Sequence, residues 1–294
     1  MKLATIYTAG STPAIAAVDV DANVARKLKS ARGRPVADMN QLIQDFDALR
    51  GAFVFDDEDI PLSQVRFAAP IVRPVRNVLC VGKNYHDHAH EFTRSGFDSS
   101  ASKPADAIPT APIIFTKMPE TVIGSGTDVR YPAGASEQLD YEAELGVIIG
   151  KGGRGIKKAD AMDHVFGYTI INDVTARDMQ ALHKQWFLGK SLDTFCPMGP
   201  WIVTRDEVDG ANLGVRCWIN GELRQNANTK DLIFDIPTLI ETISSGLTLL
   251  PGDVIATGTP AGVGIGFKPP RFLQRGDLME IEIDGLGKLS NRIA

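Results

Sequence analysis

The sequence is poor in the residues that mark several common classes of protein. It has only 3 cysteines in 294 residues, and the spacing of Cys80, Cys196 and Cys217 matches no zinc-binding motif. An odd cysteine count also argues against the disulfide framework of a secreted domain. No apolar run reaches the roughly 20 residues that a membrane helix needs, and the N-terminal segment is too short and too broken for a signal peptide. We therefore expect a cytoplasmic protein with no membrane partner.

The sequence also lacks a strong charge of either sign. Its 31 basic and 36 acidic residues leave a net charge of −5, so the molecule as a whole does not attract nucleic acid or an anionic membrane surface. With 44% hydrophobic residues, the chain can bury a large core in one or two domains. A small molecule is the expected partner, and nucleic acid is not.

Prolines mark the expected boundary between two units. Residues 1–70 are predicted to form a small α+β domain, with strands at residues 2–8 and 14–20 and a helix near residues 39–49. Pro70 and Pro74 then frame an extended connector, because proline fixes φ and disfavours a helical conformation in the residue before it. We place the boundary there and assign residues 71–294 to a second, larger domain.

The larger unit has a mostly β pattern. Glycine and proline turns separate short apolar runs, which predict strands at residues 78–81, 113–116, 145–149, 168–171, 215–219, 254–257 and 278–283. Two helices are predicted, one starting near Thr175 and one over residues 236–245. Residues 93–111 contain almost no large apolar side chain, so we expect a loop or mobile lid there. The expected fold class is α+β, mostly β.

Two glutamates stand beside a predicted buried strand. In residues 140–146 (DYEAELG), the alternation of side chains along a strand puts Glu142 and Glu144 on one face. Asp173 follows the predicted strand at residues 168–171. Three carboxylates of this kind would suit Mg²⁺, Mn²⁺ or Ca²⁺ if they converge. The alternatives are a solvated strand face for the glutamates and a helix cap for Asp173.

Three of the five histidines lie in residues 84–91 (NYHDHAHE). If this segment is helical, His88 and Glu91 share a face, and Glu91 could orient His88 as a general base. If the segment is extended, His86, His88 and His90 line one face and could bind zinc instead. A polar loop whose histidines have no function is the third reading.

Cationic residues follow in the next part of the chain. Arg177, Gln180 and Lys184 would share one face of the helix after residue 173 and could reach an anionic substrate, although a solvated position is the simpler reading for Lys184. Lys190 lies in a loop rich in glycine and aromatic residues. A partly desolvated lysine there could stabilise an enolate.

A glycine-rich turn follows the predicted strand at residues 254–257. It has neither a Gly-Lys-Ser/Thr ending nor a Gly-x-Gly-x-x-Gly pattern, so we reject nucleotide binding. Its backbone N–H groups and the Thr259 hydroxyl could instead hold a carboxylate.

Taken together, the motifs between residues 78 and 293 resemble the fumarylacetoacetate hydrolase family. They occur in the family's order, whereas residues 1–70 carry little of the resemblance. The matching segments are residues 82–85 (GKNY) with His88 and Glu91, 140–146 (DYEAELG), 167–178 (GYTIINDVTARD), 189–200 (GKSLDTFCPMGP), 251–255 (PGDVI) and 257–260 (TGTP).

The resemblance implies roles for the candidate residues. It makes the three carboxylates the ligands of Mg²⁺ or Mn²⁺, with Ca²⁺ as a further candidate. His88 and Glu91 become a water-activating pair, and Lys190 becomes a catalytic lysine that contacts substrate. It also implies a mixed β-sandwich or roll that carries the site, usually as a homodimer. The remaining expected substrate contacts are Tyr85, Lys117, Arg177, Gln180 and Thr259.

Two departures from the family pattern limit these assignments. Asn84 stands where longer hydrolases of the family place a fourth acidic residue near the metal. The chain therefore resembles the shorter branch, which contains acylpyruvases, decarboxylases and isomerases of ring-cleavage products. The additional histidines leave the choice of base open between His88 and His90.

The leading functional hypothesis is metal-dependent hydrolysis of a carbon–carbon bond in a diketo acid, such as an acylpyruvate or a fumarylacetoacetate-like compound, through an enolate. An enolate also serves decarboxylation and keto–enol isomerisation. A decarboxylase or an isomerase of 2-oxo diacids, of the 2-hydroxyhepta-2,4-diene-1,7-dioate type, is therefore the alternative. A non-catalytic binder of keto acids is the rival from another class.

Overall fold

An antiparallel meander with one helix forms the N-terminal part of the computed structural model, which describes residues 1–9, 12–33, 35–98 and 106–294. The two strands and the helix predicted before residue 50 are present, and the turn predicted between the strands lies partly outside the described residues. A third strand, β3, was not predicted, because lysine and arginine interrupt its apolar pattern. The elements are β1 (Lys2–Tyr7), β2 (Ala14–Asp19), β3 (Val24–Ala31), α1 (Met39–Leu49), β4 (Phe53–Phe55), β5 (Ile60–Pro61) and β6 (Arg66–Phe67).

The larger part alternates short strands with four helices among the described residues. All seven predicted strands are present within a few residues of their expected bounds. The elements are β7 (Val78–Gly82), α2 (His86–Ser95), β8 (Ile113–Lys117), β9 (Val122–Ile123), β10 (Leu139–Asp140), β11 (Ala143–Ile149), β12 (Val165–Asn172), β13 (Thr175–Ala176), α3 (Arg177–His183), α4 (Phe187–Lys190), β14 (Cys196–Thr204), β15 (Gly214–Ile219), β16 (Glu222–Asn228), α5 (Ile236–Gly246), β17 (Val254–Ala256), β18 (Leu278–Ile283) and β19 (Gly287–Arg292).

The strands form one large mixed sheet and two smaller sheets. The large sheet runs in the order β4-β3-β2-β1-β14-β12-β11-β17-β7-β8, with β5, β6 and β9 paired beside this path. The β17–β7 and β14–β9 pairs are parallel, and the other pairs are antiparallel. A four-stranded sheet follows the order β16-β15-β18-β19, and β10 pairs with β13. The prediction of a mostly β, mixed α+β fold is confirmed.

Strands β11 and β12 lie in the middle of the large sheet and are buried along their whole length. Leu145 and Val147 pack into the apolar cluster on one face, and Ile148 packs into the cluster on the other. Burial on both faces explains why the sequence here is a continuous apolar run instead of an alternating one. The ends of these two strands carry the acidic residues of the candidate site.

The sheet continues from the N-terminal part into the larger part. Strand β1 pairs with β14, with Leu3 opposite Ile202, and the ring of Phe46 from α1 meets the ring of Phe166 edge-on at 4.7 Å. The two parts therefore share hydrogen bonds and core. The predicted boundary at residue 70 stays a prediction.

Two local predictions need correction. The helix expected near Thr175 begins at Arg177, because residues 175–176 pair with β10. The loop expected over residues 93–111 begins later, since residues 93–95 are the last turn of α2. Part of that loop, residues 99–105, lies outside the described residues. Among the helices that the structure describes, none is long and apolar enough to cross a membrane.

Candidate active site

Three buried carboxylates meet at the ends of neighbouring strands. Glu142 precedes β11, Glu144 lies within it, and Asp173 directly follows β12. Because β11 and β12 pair with Ala143 opposite Asn172, these positions are adjacent. One oxygen from each carboxylate lies within 4.8 Å of the others, and all three side chains are buried. The structure therefore brings the three predicted metal ligands together, and we call them the acidic cluster.

Two buried lysines contact the acidic cluster. The Lys190 ammonium lies 2.8 Å from Glu142 Oε2 and 2.9 Å from Asp173 Oδ2, so it bridges two of the carboxylates. Lys117 donates to Asp173 Oδ1 at 2.6 Å and to the carbonyl of Val174 at 3.0 Å. Burial lowers the pKa of Lys190, but the carboxylates of Asp173 and Glu142 raise it by more. The net pKa is therefore above its ordinary value. Lys190 is therefore an ammonium ion.

The carboxylates of the acidic cluster have unlike electrostatic surroundings. Burial raises the pKa of Glu142, but Lys190 and Arg177 outweigh it and bring that pKa down to about 2. Burial and the neighbouring carboxylates of Asp173 and Glu142 raise the pKa of Glu144 well above its usual value. Lys190 and the N–H of Gly258, which donates to Glu144 Oε2 at 2.9 Å, offset this effect only in part. Glu144 is thus the less compensated of the two glutamates.

The chemistry of this donor set fits a hard divalent cation. Three carboxylates with no thiol or imidazole among them favour oxygen-loving ions such as Mg²⁺ and Mn²⁺ over zinc. Within the network of ion pairs around the acidic cluster, four buried carboxylates face three buried cations, so ionisation of all seven groups would leave one excess negative charge for a divalent cation to balance. These groups are Glu142, Glu144, Asp173 and Asp140 on one side and Lys117, Lys190 and Arg177 on the other.

Arg177 is held in place by several partners at once. Its Nε donates to Asp140 Oδ2 at 2.9 Å, its Nη1 donates to Gln180 Oε1 at 3.0 Å, and its Nη2 lies 2.7 Å from Glu142 Oε1. Burial lowers the pKa of Arg177, but Asp140 and Glu142 raise it above its ordinary value. This side chain is a fixed positive charge at the edge of the acidic cluster.

His88 and Glu91 form the pair that the helical reading predicts. They lie on α2, with His88 Nδ1 at 3.2 Å from Glu91 Oε2. An ionised carboxylate can only accept, so Nδ1 donates to Glu91, and in a neutral imidazole Nε2 would then carry the lone pair. His88 is buried beside the cavity, whereas His86 and His90 are exposed. The helix thus turns His88 away from His86 and His90, so the three histidines do not share the face that the alternative of a zinc site requires, and that alternative is wrong.

A small cavity adjoins the acidic cluster. It encloses about 10 Å³ of space, about the room that one water molecule needs, and its walls include His88, Arg177, Gln180, Lys190 and Thr259. This charged and polar lining suits a compact, anionic ligand.

Aromatic rings form the apolar wall of this cavity. Trp186 meets Phe92 and Phe115 edge-on, with ring centroids 5.8 Å and 5.4 Å away. The Phe115 ring also lies 5.1 Å from the Lys190 ammonium. Gly82 is required for this arrangement, because a Cβ at that position would lie 2.4 Å from the Trp186 ring. The rings exclude water from one side of the charged groups, which strengthens electrostatic interactions inside the cavity.

The glycine-rich turn after β17 holds carboxylates, as predicted, but they belong to the protein itself. Gly262 N–H donates to Glu91 Oε1 at 3.0 Å, and Gly264 N–H donates to Asp140 Oδ1 at 2.6 Å. Ile265 N–H donates to the other Asp140 oxygen at 3.1 Å. These N–H groups fix the positions of Glu91 and Asp140 and are no longer free for a substrate.

The structure separates two of the predicted substrate contacts from the cavity. Lys117 is fully buried behind Asp173 and does not line the cavity. Tyr85 lines a neighbouring cavity next to Pro260 instead. Lys184, just beyond the end of α3, is exposed. The roles predicted for the residues that do meet at the cavity remain predictions.

Sequence reasoning missed three residues of this site. Asp140 lies two residues before Glu142, so the alternation of side chains along an extended segment could have identified it as a third acidic residue on the same face. Lys83 lines the cavity and forms a buried ion pair with Asp98 at 2.8 Å, but it resembles any lysine in a turn. Trp186 comes from the short connection between α3 and α4, where its φ of 63° is left-handed, and no pattern in the sequence indicates that conformation.

Comparison with known proteins identifies the family. The model of the fumarylacetoacetate (FAA) hydrolase C-terminal family matches residues 77–294. This chain belongs to the fumarylacetoacetate hydrolase family. The match begins a few residues after the predicted domain boundary and covers every residue of the acidic cluster, so the resemblance found in the sequence motifs is confirmed.

Named relatives within the family include tautomerases and hydrolases. The chain is 52% identical over 244 residues to oxaloacetate tautomerase YisK of Bacillus subtilis, which covers 83% of this chain and 76% of that protein. Two solved structures match all of this chain and 99% of their own. One is fumarylacetoacetate hydrolase from Exiguobacterium antarcticum, with a TM-score of 0.81 and 38% identity. The other is maleylpyruvate hydrolase from Sphingobium sp. SYK-6 in complex with manganese (II) ion and pyruvate, with a TM-score of 0.79 and 32% identity.

Proposed function

We propose that this chain is a divalent-cation-dependent keto–enol tautomerase of oxaloacetate or a similarly compact 2-oxo diacid. The observation that carries the proposal is that the acidic cluster adjoins one small cavity, whose walls also present the imidazole of His88 and the fixed charges of Arg177 and Lys190. Tautomerisation needs a polarised carbonyl and one proton-transfer group, and this arrangement provides for both. The oxaloacetate tautomerase relative supports the choice of substrate.

Each residue of the cavity has a defined task in this reaction. Glu142, Glu144 and Asp173 would hold a cation that polarises the 2-oxo group when it is bound. His88 Nε2 accepts the proton from carbon 3 of the keto form, and Glu91 stabilises the imidazolium that results. Lys190 and Arg177 offset the negative charge that develops on oxygen and the charge of the substrate carboxylates. The imidazolium then gives this proton to the enolate oxygen on carbon 2, which completes the enol. In the opposite direction, His88 takes the proton from that hydroxyl and returns it to carbon 3.

The charges around the cavity favour a compact diacid. A dianionic four-carbon substrate would match the fixed cations of Arg177 and Lys190 and the added charge of a divalent ion. Together with the 52% identity to an oxaloacetate tautomerase, this match is the reason to place tautomerisation ahead of the hydrolysis that the motifs first indicated.

Product analysis tests the proposal against its neighbours in the family. The protein, loaded with Mg²⁺ or Mn²⁺, is incubated with oxaloacetate and with an acylpyruvate, and the products are identified by nuclear magnetic resonance. We expect exchange at carbon 3 of oxaloacetate with little loss of carbon dioxide and little cleavage of the acylpyruvate. Rapid acylpyruvate cleavage without such exchange would overturn the proposal, and binding without any turnover would favour a keto-acid binder.

Hydrolysis of a carbon–carbon bond is the second candidate. The maleylpyruvate hydrolase of similar structure supports it, and so does the general chemistry of His88, which could activate water as well as abstract a proton. Decarboxylation would use the same enolate. Acylpyruvate cleavage in the test above distinguishes hydrolysis, and release of carbon dioxide distinguishes decarboxylation.

We also propose the identity of the cation, the oligomeric state and the location of the protein. Manganese or magnesium is the proposed cation, with support from the manganese complex of a relative and from the all-oxygen donor set. A homodimer is proposed because the family resemblance implies it, and a cytoplasmic location is proposed from the cysteine usage and the lack of an evident export signal. Analytical ultracentrifugation and metal analysis of the purified protein test the first two features.

A further inference from the structure

Gln225 lies at the junction of three parts of the site. It is fully buried on β16, in the four-stranded sheet. The pairing of β16 with β15 shifts by one residue next to it, since Cys217 pairs with Gln225 but Trp218 pairs with Leu223. A bulge of this kind re-aims a side chain. The bulge lies beside Gln225, whose side chain reaches from the smaller sheet to the backbone of Ala143, between the two glutamates of the acidic cluster.

The neighbours of Gln225 fix the orientation of its side-chain amide. Its Oε1 accepts from Ala143 N–H at 3.1 Å, and its Nε2 donates to the Pro260 carbonyl at 2.8 Å. A backbone N–H can only donate and a carbonyl can only accept, so the amide cannot be turned around. The second hydrogen on Nε2 then points to Thr259 Oγ1, 2.7 Å away.

This arrangement determines what the Thr259 hydroxyl can do. A hydroxyl has one hydrogen to donate, and its oxygen can accept. Thr259 Oγ1 accepts from Gln225 and, among the residues that the structure describes, donates to no protein acceptor. Thr259 is buried and lines the cavity. Its hydrogen is therefore directed to whatever oxygen occupies that cavity.

We infer that Gln225 is a positioning residue that fixes the Thr259 hydroxyl as a hydrogen-bond donor to an oxygen of a bound 2-oxo acid. The same amide joins Ala143, which lies between the two glutamates of the acidic cluster, to the turn that carries Thr259. Gln225 thus sets the distance between the cation ligands and the donor. This inference rests on the proposed function only in requiring that a 2-oxo acid binds in the cavity.

A double-mutant cycle between Gln225 and Thr259 tests the inference. Gln225→Met keeps the length of the side chain but removes its hydrogen bonds, Thr259→Val removes the hydroxyl, and Thr259→Ser keeps it. Binding of pyruvate to the Mg²⁺-loaded proteins is measured by calorimetry, and oxaloacetate turnover is measured in parallel. Pyruvate is the probe because it carries the 2-oxo acid group of the proposed substrates.

We expect Gln225→Met and Thr259→Val each to weaken pyruvate binding by about tenfold, the size of one lost hydrogen bond to a charged acceptor. In the Thr259→Val background, Gln225→Met should weaken binding by less than a further twofold. Thr259→Ser should bind within threefold of the wild type. In turnover, the loss in Gln225→Met should fall mainly on KM.

A matched variant separates positioning from general stability. Asn291 is also a buried amide that fastens two backbone carbonyls, those of Gly124 and Thr127, but it does not line the cavity. Asn291→Leu should lower the melting temperature and leave pyruvate affinity within twofold of the wild type.

Two outcomes would overturn the inference. One is additive losses from Gln225→Met and Thr259→Val, and the other is wild-type pyruvate affinity no better than that of Thr259→Val. Failure of the wild type to tautomerise oxaloacetate, with the coupling in pyruvate binding intact, would instead refute the proposed function alone.

Discussion

The Asp140–Arg177 ion pair should make a large contribution to the stability of the protein. Asp140 is fully buried and accepts from Arg177 Nε, Gly264 N–H and Ile265 N–H. In Asp140→Asn the charge is lost, and a side-chain oxygen that served these donors becomes an amide nitrogen. The guanidinium would then be left partly uncompensated in the core of the site.

The structure sets the expected magnitude of this effect. Removing one partner of a buried ion pair typically costs about 3–5 kcal/mol. Arg177 keeps its contact with Glu142, 2.7 Å from Nη2, so we expect a loss near the lower end, about 3 kcal/mol in the free energy of unfolding. The misplaced Arg177 should also raise the KM for oxaloacetate.

Equilibrium unfolding in guanidinium chloride of the cation-free protein measures this loss. The matched control is Asp163→Asn, which breaks the exposed ion pair with Arg205 and should change stability by less than about 0.5 kcal/mol. If Asp140→Asn costs less than about 1 kcal/mol, the reasoning about buried charge at this site is refuted.

The remaining predictions concern the base, the cation and a helix cap. His88→Gln should lower turnover by about 10²–10⁴-fold, whereas His90→Gln on the same helix should stay within twofold; equal losses in steady-state kinetics would contradict the assignment. Mg²⁺ or Mn²⁺ at about 100 times its Kd should stabilise the wild type by about 2.7 kcal/mol in thermal unfolding, and Glu144→Gln should abolish most of that shift. Asp235→Ala should cost about 1 kcal/mol through loss of the α5 cap. Burial raises the pKa of Asp235, but hydrogen bonds from Thr238 and Lys158 outweigh it and lower that pKa below its ordinary value. The part of the cost that comes from this shift should be present above the ordinary pKa and be lost as the pH falls through the lowered pKa. A constant difference across unfolding curves at several pH values would contradict this.

The strands that could be predicted from the sequence are those with uninterrupted apolar runs. Strands β7 and β18, for example, were found almost to the residue. Strand β14 was missed although it is buried throughout, because Pro197, Gly199 and Pro200 lie within it and proline normally argues against a central strand. Strand β16 was missed because its composition is polar. In each case long-range pairing outweighs the local preference of the sequence.

The candidate site was predictable where chain spacing determines geometry. Alternation along β11 placed Glu142 and Glu144 together, and helical spacing joined His88 to Glu91. Gln225 could not have been found in this way, because it reaches the site from another sheet beside a bulge in the strand pairing. Contacts of that kind depend on how the sheets pack, which no local pattern records.

The most direct test of the account is the decay of enol oxaloacetate after rapid mixing with the protein, followed by ultraviolet absorbance. With Mg²⁺ or Mn²⁺ present, we expect the protein to accelerate this decay. Excess chelator should remove the acceleration, added cation should restore it, and Glu142→Ala should lack it under all conditions. Full acceleration in excess chelator, or no acceleration by the cation-loaded wild type, would contradict the central claim.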